Sequence, residues 1–375
     1  MDRQVKRSSG DAAPLECRGR FVHGLLGEMV GRALLPSHLA RWIRCQLVRR
    51  RETATEADAQ LLLYSRMLSS GFLHFGYFDD PDTAPEEVSF ALLERAQLRY
   101  AERVAELVGP PPGTLLEAGC GMGGMLGVFR ARGHEATGLT PDRFQIGHLR
   151  RTLPDVPILH CRFEDLGSDR FSYENVTTDP QELYRSPSKS HCDHECDKYI
   201  GYFDTIVHAE SLQYMRPDGA LRALERALAP DGRWIVADYF RLDESAAGVA
   251  GRAASHDGRA RSARSGWCLG EYRRLLEERG FEIEAEEDIT PHVLPTLGFA
   301  RLLAERIGLP AFDFGSEKLR VKLPGLHYVV RPALERARRR ARREASQLDP
   351  EVFSATRRYL LMRIRRSVAS RPWGR

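Results

Sequence analysis

Beyond residue 80 the hydrophobic pattern switches repeatedly between two periods. Pro81 to Pro85 marks a turn, after which Leu92, Ala96, Tyr100, Val104 and Leu107 recur at helical spacing up to Val108. Pro110-Pro111-Pro112-Gly113 ends that helix. Apolar runs at 114–118, 135–139, 157–161, 203–208, 233–238 and 281–285 read as strands. Amphipathic stretches at 122–132, from Pro141, at 217–228 and at 270–279 read as the helices between them, with Gly280 as the cap of the last. Pro230-Asp231-Gly232 reads as a turn before the fifth strand. Alternating strands and helices predict an α/β fold, a parallel sheet covered on both faces. No internal repeat is present.

Two stretches fall outside that rhythm. Residues 1–52 form a basic extension in which Leu39, Trp42, Ile43 and Leu47 recur at helical spacing with Arg41, Arg44, Arg49, Arg50 and Arg51 among and after them. Such a helix can lie in a membrane interface or pack on its own protein. Residues 167–202 are polar, with Pro180, Pro187 and many Ser, Thr and Asp, and read as a surface excursion longer than a usual connection.

Charge sharpens this division. The 375 residues carry a net +4, but residues 1–51 hold +7 and residues 331–375 hold +10, so the middle is strongly acidic. Basic ends on an acidic body point to a polyanionic surface, phospholipid or nucleic acid, or to solvated helix faces. The seven cysteines are scattered and odd in number, and the charged first ten residues have no apolar core behind them. Free thiols and a cytoplasmic location, peripheral to a membrane if the basic extension binds one, are therefore expected. No uninterrupted apolar run approaches the ~18 residues of a membrane span. His191, Cys192, Asp193, His194, Glu195 and Cys196 include metal-ligating types, but no second cluster completes a tetrahedral set, so no metal is expected.

The chemistry concentrates at strand ends. Leu115-Leu116-Glu117-Ala118-Gly119-Cys120-Gly121-Met122-Gly123 is a strand running into a glycine turn, with an acid two residues before the first glycine. The dinucleotide fingerprint spaces its glycines differently. This stretch resembles the first motif of class I S-adenosylmethionine-dependent methyltransferases. After strand two comes Gly138-Leu139-Thr140-Pro141-Asp142-Arg143-Phe144-Gln145. Most class I enzymes place an acid where Thr140 stands. The pattern here is similar to the branch of cyclopropane-fatty-acid synthases, mycolic-acid methyltransferases and tocopherol and sterol C-methyltransferases. Phe163-Glu164 after strand three matches the aromatic–acid pair of that branch. Leu73-His74-Phe75-Gly76-Tyr77-Phe78 looks like its aromatic lid, and Glu210-Ser211 after strand four resembles its tocopherol-type members.

The resemblance implies a Rossmann-like, seven-stranded, mostly parallel sheet with helices on both faces, a helical N-terminal extension and a helical insertion before the last strand. Tyr359 to Ile364 is the seventh-strand candidate. The chain then divides into the extension 1–52, a helical lid and lead-in 53–112, a core 113–290, a helical substrate cap 291–356 with the Arg-rich run 336–343 on an exposed face, and a last strand with basic tail 357–375. The cofactor implied is S-adenosyl-L-methionine, held by Glu117, Gly119, Cys120, Gly121, Gly123, Thr140, Gln145, Phe163 and Glu164. Thr140 and Gln145 can share hydrogen bonds with a ribose diol, and Phe163 with Glu164 can flank an adenine.

The acceptor implied is small and hydrophobic, a lipid, isoprenoid or natural product. The cyclopropane enzymes carry a Glu-His pair where Gln213-Tyr214 stands, so simple methyl transfer is expected rather than cyclopropanation. A heteroatom acceptor needs a base, for which His74, His208 and Glu210 are candidates. A carbon acceptor builds positive charge that Tyr77, Phe78, Tyr214 and Glu210 can stabilise. Two other readings stay open. One is a nucleic-acid methyltransferase using the basic ends, disfavoured by the lack of an RNA-binding module or Asn-Pro-Pro-aromatic signature. The other is a non-catalytic cofactor-binding protein.

Overall fold

The structure is a computed structural model that describes residues 70–166, 199–242 and 267–367. The basic extension and the His191–Cys196 cluster lie outside the described residues. Helix α1 (Phe90–Val108) begins where the Ser89 hydroxyl accepts the Leu92 N–H at 3.2 Å, and buries Leu93, Ala96, Tyr100, Val104 and Val108. It leads into β1 (Thr114–Ala118), α2 (Gly124–Ala131), β2 (Glu135–Leu139), α3 (Arg143–Thr152) and β3 (Ile158–Leu159). Then follow β4 (Phe203–Ala209), α4 (Pro217–Ala227), β5 (Leu228–Arg241), α5 (Leu269–Glu278) and β6 (Phe281–Asp288). Between β6 and the final strand lie α6 (Thr290–Leu303), a π-helical turn (Ala304–Gly308), α7 (Leu309–Lys322), α8 (Pro324–Ser346) and α9 (Pro350–Thr356). Strand β7 (Arg357–Arg366) closes the fold.

The seven strands form one sheet in the order β3-β2-β1-β4-β5-β7-β6. All pairs are parallel except those of β7, which runs antiparallel between β5 and β6. Strand side chains alternate between faces, so two cores result. Leu115, Val207, Ile235 and Leu361 join α1, α2 and α6 on one face, while Leu116, Ile206, Trp234 and Met362 join α4 and α5 on the other. The Rossmann-like sheet, the insertion and the seventh strand stand as expected.

Three boundaries differ from expectation, each because a partner strand decides pairing. β3 keeps only two paired residues, at the sheet edge beside β2. β5 extends back to Leu228, which pairs with Phe203; the register then jumps to Thr205↔Arg233, so the Pro230-Asp231-Gly232 turn sits as an irregularity within the strand. β6 runs on to Asp288 because β7 continues opposite it: Glu286, Glu287 and Asp288 pair with Met362, Leu361 and Leu360, and Arg358 meets Asp288 at 3.4 Å. Arg365 meets Glu282 at 2.5 Å and Glu284 at 3.2 Å, and Arg363 meets Glu284 at 3.1 Å.

Candidate active site

A cavity of about 580 Å³ opens at the carboxyl ends of β1, β2, β3 and β4, where open α/β sheets place their ligands. The loop after β1 supplies one wall. Gly119 and Cys120 both donate backbone N–H groups to the Leu139 carbonyl, at 2.8 and 3.1 Å, which ties the turn to the end of β2. Gly119 has φ +85°, and a Cβ there would lie 2.6 Å from the Ser211 Cβ. Glu117 is buried beneath this loop; one carboxyl oxygen has no hydrogen-bond partner, and burial pushes its pKa up to about 8.

At the end of β2 the Thr140 hydroxyl donates to the Gln145 side-chain oxygen at 2.5 Å, and Asp142 caps α3 by accepting the Gln145 N–H at 2.9 Å. Thr140 and Gln145 are thus locked side by side on the cavity wall. Phe163 and Glu164 follow β3 on a short 3₁₀ turn and also line the cavity. Phe163 is fully buried, its ring edge-on to His208 at 4.6 Å between centroids. It serves core and wall at once.

Beyond β4, Glu210 has φ +52°, a left-handed conformation that costs a non-glycine residue roughly 1–3 kcal/mol. Its Oε1 accepts the Phe75 N–H at 2.7 Å and the Tyr359 hydroxyl at 2.8 Å. Oε2 accepts no bond among the described residues. Burial raises the Glu210 pKa to about 7, with the two hydrogen bonds opposing that rise. Behind it, Asp238 accepts the Leu212 and Tyr239 N–H groups, and burial together with the Glu210 charge raises it to about 8. Gln213 donates to the Glu210 carbonyl at 3.2 Å and accepts from the Tyr239 hydroxyl. His74 lines the cavity with its ring stacked on Tyr100 at 4.3 Å; burial lowers its pKa to about 4, so the ring is neutral. Tyr214 lines the mouth and is two-thirds exposed.

Of the expected cofactor residues, Glu117, Gly119, Cys120, Gly121, Thr140, Gln145, Phe163 and Glu164 share this one cavity. Gly123 does not. It starts α2 at φ +86°, where a Cβ would strike Leu149 and Leu153, so packing requires that glycine. Two candidate catalytic residues also lie elsewhere. The Tyr77 ring stacks on His292 at 4.4 Å, away from the cavity walls, beside α1 and α6. His208 is fully buried in β4, its Nδ1 accepting the Trp234 indole N–H at 2.9 Å, and desolvation lowers its pKa to about 3; it is a neutral core residue. Phe78 packs with Val88, Leu93 and Phe299. The segment 290–356 contributes no wall residue, so it does not cover the cavity directly. Its α6 instead grips the lead-in segment that does: Phe78 N–H reaches the His292 carbonyl at 2.9 Å, and Gly76 N–H reaches the Thr296 hydroxyl at 3.0 Å.

Sequence reasoning missed Tyr359, which holds Glu210, Asp238 behind it, and Arg162, which lines the cavity. Tyr359 carried a signal, since a tyrosine heading a strand otherwise built of Leu, Met and Ile needs a partner for its hydroxyl. Asp238 and Arg162 carried none.

A Rossmann-like sheet with a glycine loop, a buried acid and a hydroxyl–amide pair at its carboxyl edge is the architecture that the resemblance to class I methyltransferases implied. Residues 92–286, just over half of the chain, match the family described as Methyltransferase domain. The chain belongs to that family and is an S-adenosyl-L-methionine-dependent methyltransferase. It is 26% identical over 253 residues to an O-methyltransferase of Pyrenophora dematioidea, covering 66% of this chain and 82% of that protein. It is 28% identical over 228 residues to 27-O-demethylrifamycin SV methyltransferase of Amycolatopsis mediterranei (strain S699), covering 60% and 71%. Its fold matches that of the mycolic acid cyclopropane synthase CmaA1 with a TM-score of 0.50 at 14% identity, over 80% of this chain and 93% of the other.

The cavity fits the cofactor chemically. An unpartnered, buried Glu117 oxygen is suited to an ammonium group. The Thr140–Gln145 pair suits a diol, and the Phe163 ring an adenine face.

Proposed function

We propose that this enzyme methylates a hydroxyl of a small, hydrophobic acceptor, with Glu210 taking the hydroxyl proton. The observation that carries this reading is Glu210 itself: a strained, buried carboxyl on the cavity wall, with one free oxygen and a pKa near 7. A general base works best when its pKa lies near the working pH. The two sequence relatives named above, both O-methylating by name, support the same choice of acceptor atom. The apolar character of the acceptor side follows from Phe72, Leu73, Met122, Met125 and Met215 in the walls.

When bound, the cofactor supplies an electrophilic methyl group on a sulfonium. The residues of this chain then have three tasks. The 119–121 loop, Glu117 and the Thr140–Gln145 pair hold and orient the donor. The lead-in segment 71–74 and Tyr214 close the acceptor side and exclude water. Glu210 Oε2 would take the acceptor's hydroxyl proton, leaving the oxygen's electron pair free for the methyl group that the bound cofactor would supply. Tyr359 and the Phe75 N–H keep Oε1 fixed, so the carboxylate meets the acceptor in one orientation.

Methyl-labelled cofactor incubated with a panel of phenols and hydroxylated hydrophobic compounds tests this. Methyl ethers are the expected products, with turnover rising as pH increases through about 7. Glu210→Gln is expected to lose about 10²–10⁴-fold in turnover and to flatten that pH profile, while cofactor affinity stays. Label on carbon or nitrogen, or wild-type turnover in Glu210→Gln, would overturn the assignment.

A further inference from the structure

The two long insertion helices carry a surface that the reaction does not use. α7 and α8 are joined at Leu323 and lie side by side, with Arg338 of one meeting Asp313 of the other at 2.5 Å. α7 buries none of its residues and α8 only Ala345. Large apolar side chains stand in solvent along this hairpin and the π-helical turn leading into it: Ile307 of the turn is 61% exposed, and Phe314 67%, Val321 67%, Tyr328 79% and Val329 73% on the hairpin. Phe314 and Val321, seven residues apart, share a helix face with Lys318, whose ammonium sits 5.5 Å from the Phe314 ring centre.

The charges beside them are unbalanced. Residues 309–346 contain ten Lys and Arg but four acids. All four acids are already taken: Asp313 by Arg338, Glu317 by Arg320, Glu335 by Arg331 and Glu344 by Arg340. Lys318, Lys322, Arg336, Arg339, Arg342 and Arg343 keep no carboxylate partner among the described residues. Arg336, Arg339 and Arg343 fall on one helix face by their spacing. On the β6–β7 edge, by contrast, Arg363 and Arg365 are both paired.

Six cations without a carboxylate partner among the described residues call for an anion, and exposed apolar side chains call for an apolar phase. A nucleic acid offers the first, and its bases can stack on Phe314 and Tyr328, but it has no apolar phase for Ile307, Val321 and Val329. Lipid headgroups above an acyl boundary offer both. We propose that the α7–α8 hairpin docks this enzyme on an anionic phospholipid bilayer. The proposal is independent of the acceptor and of the role of Glu210.

Flotation of the full chain with vesicles of phosphatidylcholine alone, or mixed with phosphatidylglycerol, tests it. The protein is expected to float with the mixed vesicles and to be released by high salt. Each arginine removed is expected to cost about fivefold in partition, and the combined change Arg336→Gln, Arg339→Gln, Arg342→Gln and Arg343→Gln on the order of a hundredfold or more. A second variant, Phe314→Ser with Tyr328→Ser and Val329→Ser, is expected to lose binding while keeping its thermal midpoint and cofactor affinity. Absence of wild-type flotation on phosphatidylglycerol would overturn the proposal. So would flotation of both variants at the wild-type level, which would place any binding elsewhere, including in the basic residues 1–51. Loss of RNA retention by the arginine variant with flotation intact would identify a nucleic-acid surface instead.

Discussion

Gly119 within the glycine loop and Glu117 beneath it make separate predictions for donor binding at the proposed site. Gly119 is held in the left-handed region against Ser211, so a methyl group there meets both backbone strain, roughly 1–2 kcal/mol, and a side chain at 2.6 Å. Gly119→Ala is expected to weaken cofactor binding at least tenfold by calorimetry while the protein remains folded; unchanged affinity would remove the loop from the site. Glu117 makes a different prediction. With its pKa raised to about 8 by burial, it is mostly protonated at neutral pH. Pairing with the donor's ammonium favours the ionised form, so binding at pH 7 is expected to release a proton. Calorimetry in buffers of different ionisation heat would detect it, and Glu117→Gln should abolish it. These positions were legible because a glycine or a lone acid at a strand end reports on backbone and burial. Tyr77 and His208 were not, because an aromatic or imidazole beside a strand reads the same whether it faces the cavity or the core. Only the Trp234 indole and the His292 ring, contributed by distant segments, separate the two.

At the scale of elements, the lead-in segment 71–78 is a non-regular stretch clamped from three sides. Glu210 takes the Phe75 N–H, Thr296 the Gly76 N–H, α1 the Tyr77 N–H at 2.8 Å and α6 the Phe78 N–H. The insertion therefore shapes the cavity at one remove, by fixing the segment whose first residues form its wall. Thr296→Val keeps the shape but leaves the buried Gly76 N–H without an acceptor, at a cost of about 1–3 kcal/mol. A lower thermal midpoint and a raised KM for the acceptor are expected, with kcat close to wild type if only positioning is lost. The succession of strands and helices up to β6 was readable from period and punctuation; the seventh strand and the insertion before it were expected from the family resemblance. Strand lengths were not, since β5 and β6 extend as far as β7 offers partners. Nor was the insertion's role readable, because an apolar helix at 290–303 looks the same whether it covers a ligand or holds another segment.

For the molecule as a whole, the buried ionisable groups set a pH dependence with a definite sign. Glu117, Glu210 and Asp238 sit at about 8, 7 and 8, far above their ordinary values. His74 and His208 sit at about 4 and 3, far below theirs. Between pH 4 and the ordinary histidine value of about 6.5, the unfolded chain binds protons on these imidazoles that the folded one refuses, so they favour folding as pH rises. The carboxyls act in the opposite direction. From about pH 4.5 upward the folded state keeps protons that the unfolded chain has released, so their contribution is lost as pH climbs through 7 and 8. Above pH 6.5 the histidines no longer compensate, and each still-protonated carboxyl lowers stability by up to about 1.4 kcal/mol per pH unit. The thermal midpoint of the ligand-free enzyme is therefore expected to fall between pH 6.5 and 8. Glu117→Gln and Glu210→Gln remove a titrating group each and should shallow that fall; equal slopes in wild type and both variants would show that these carboxyls titrate normally. Saturating donor should restore more stability at pH 8 than at pH 6.5, since it supplies the cation that an ionised Glu117 lacks. The carboxyl end of the sheet is thus least stable in the pH range where Glu210 can accept a proton, and the bound donor is what offsets that cost.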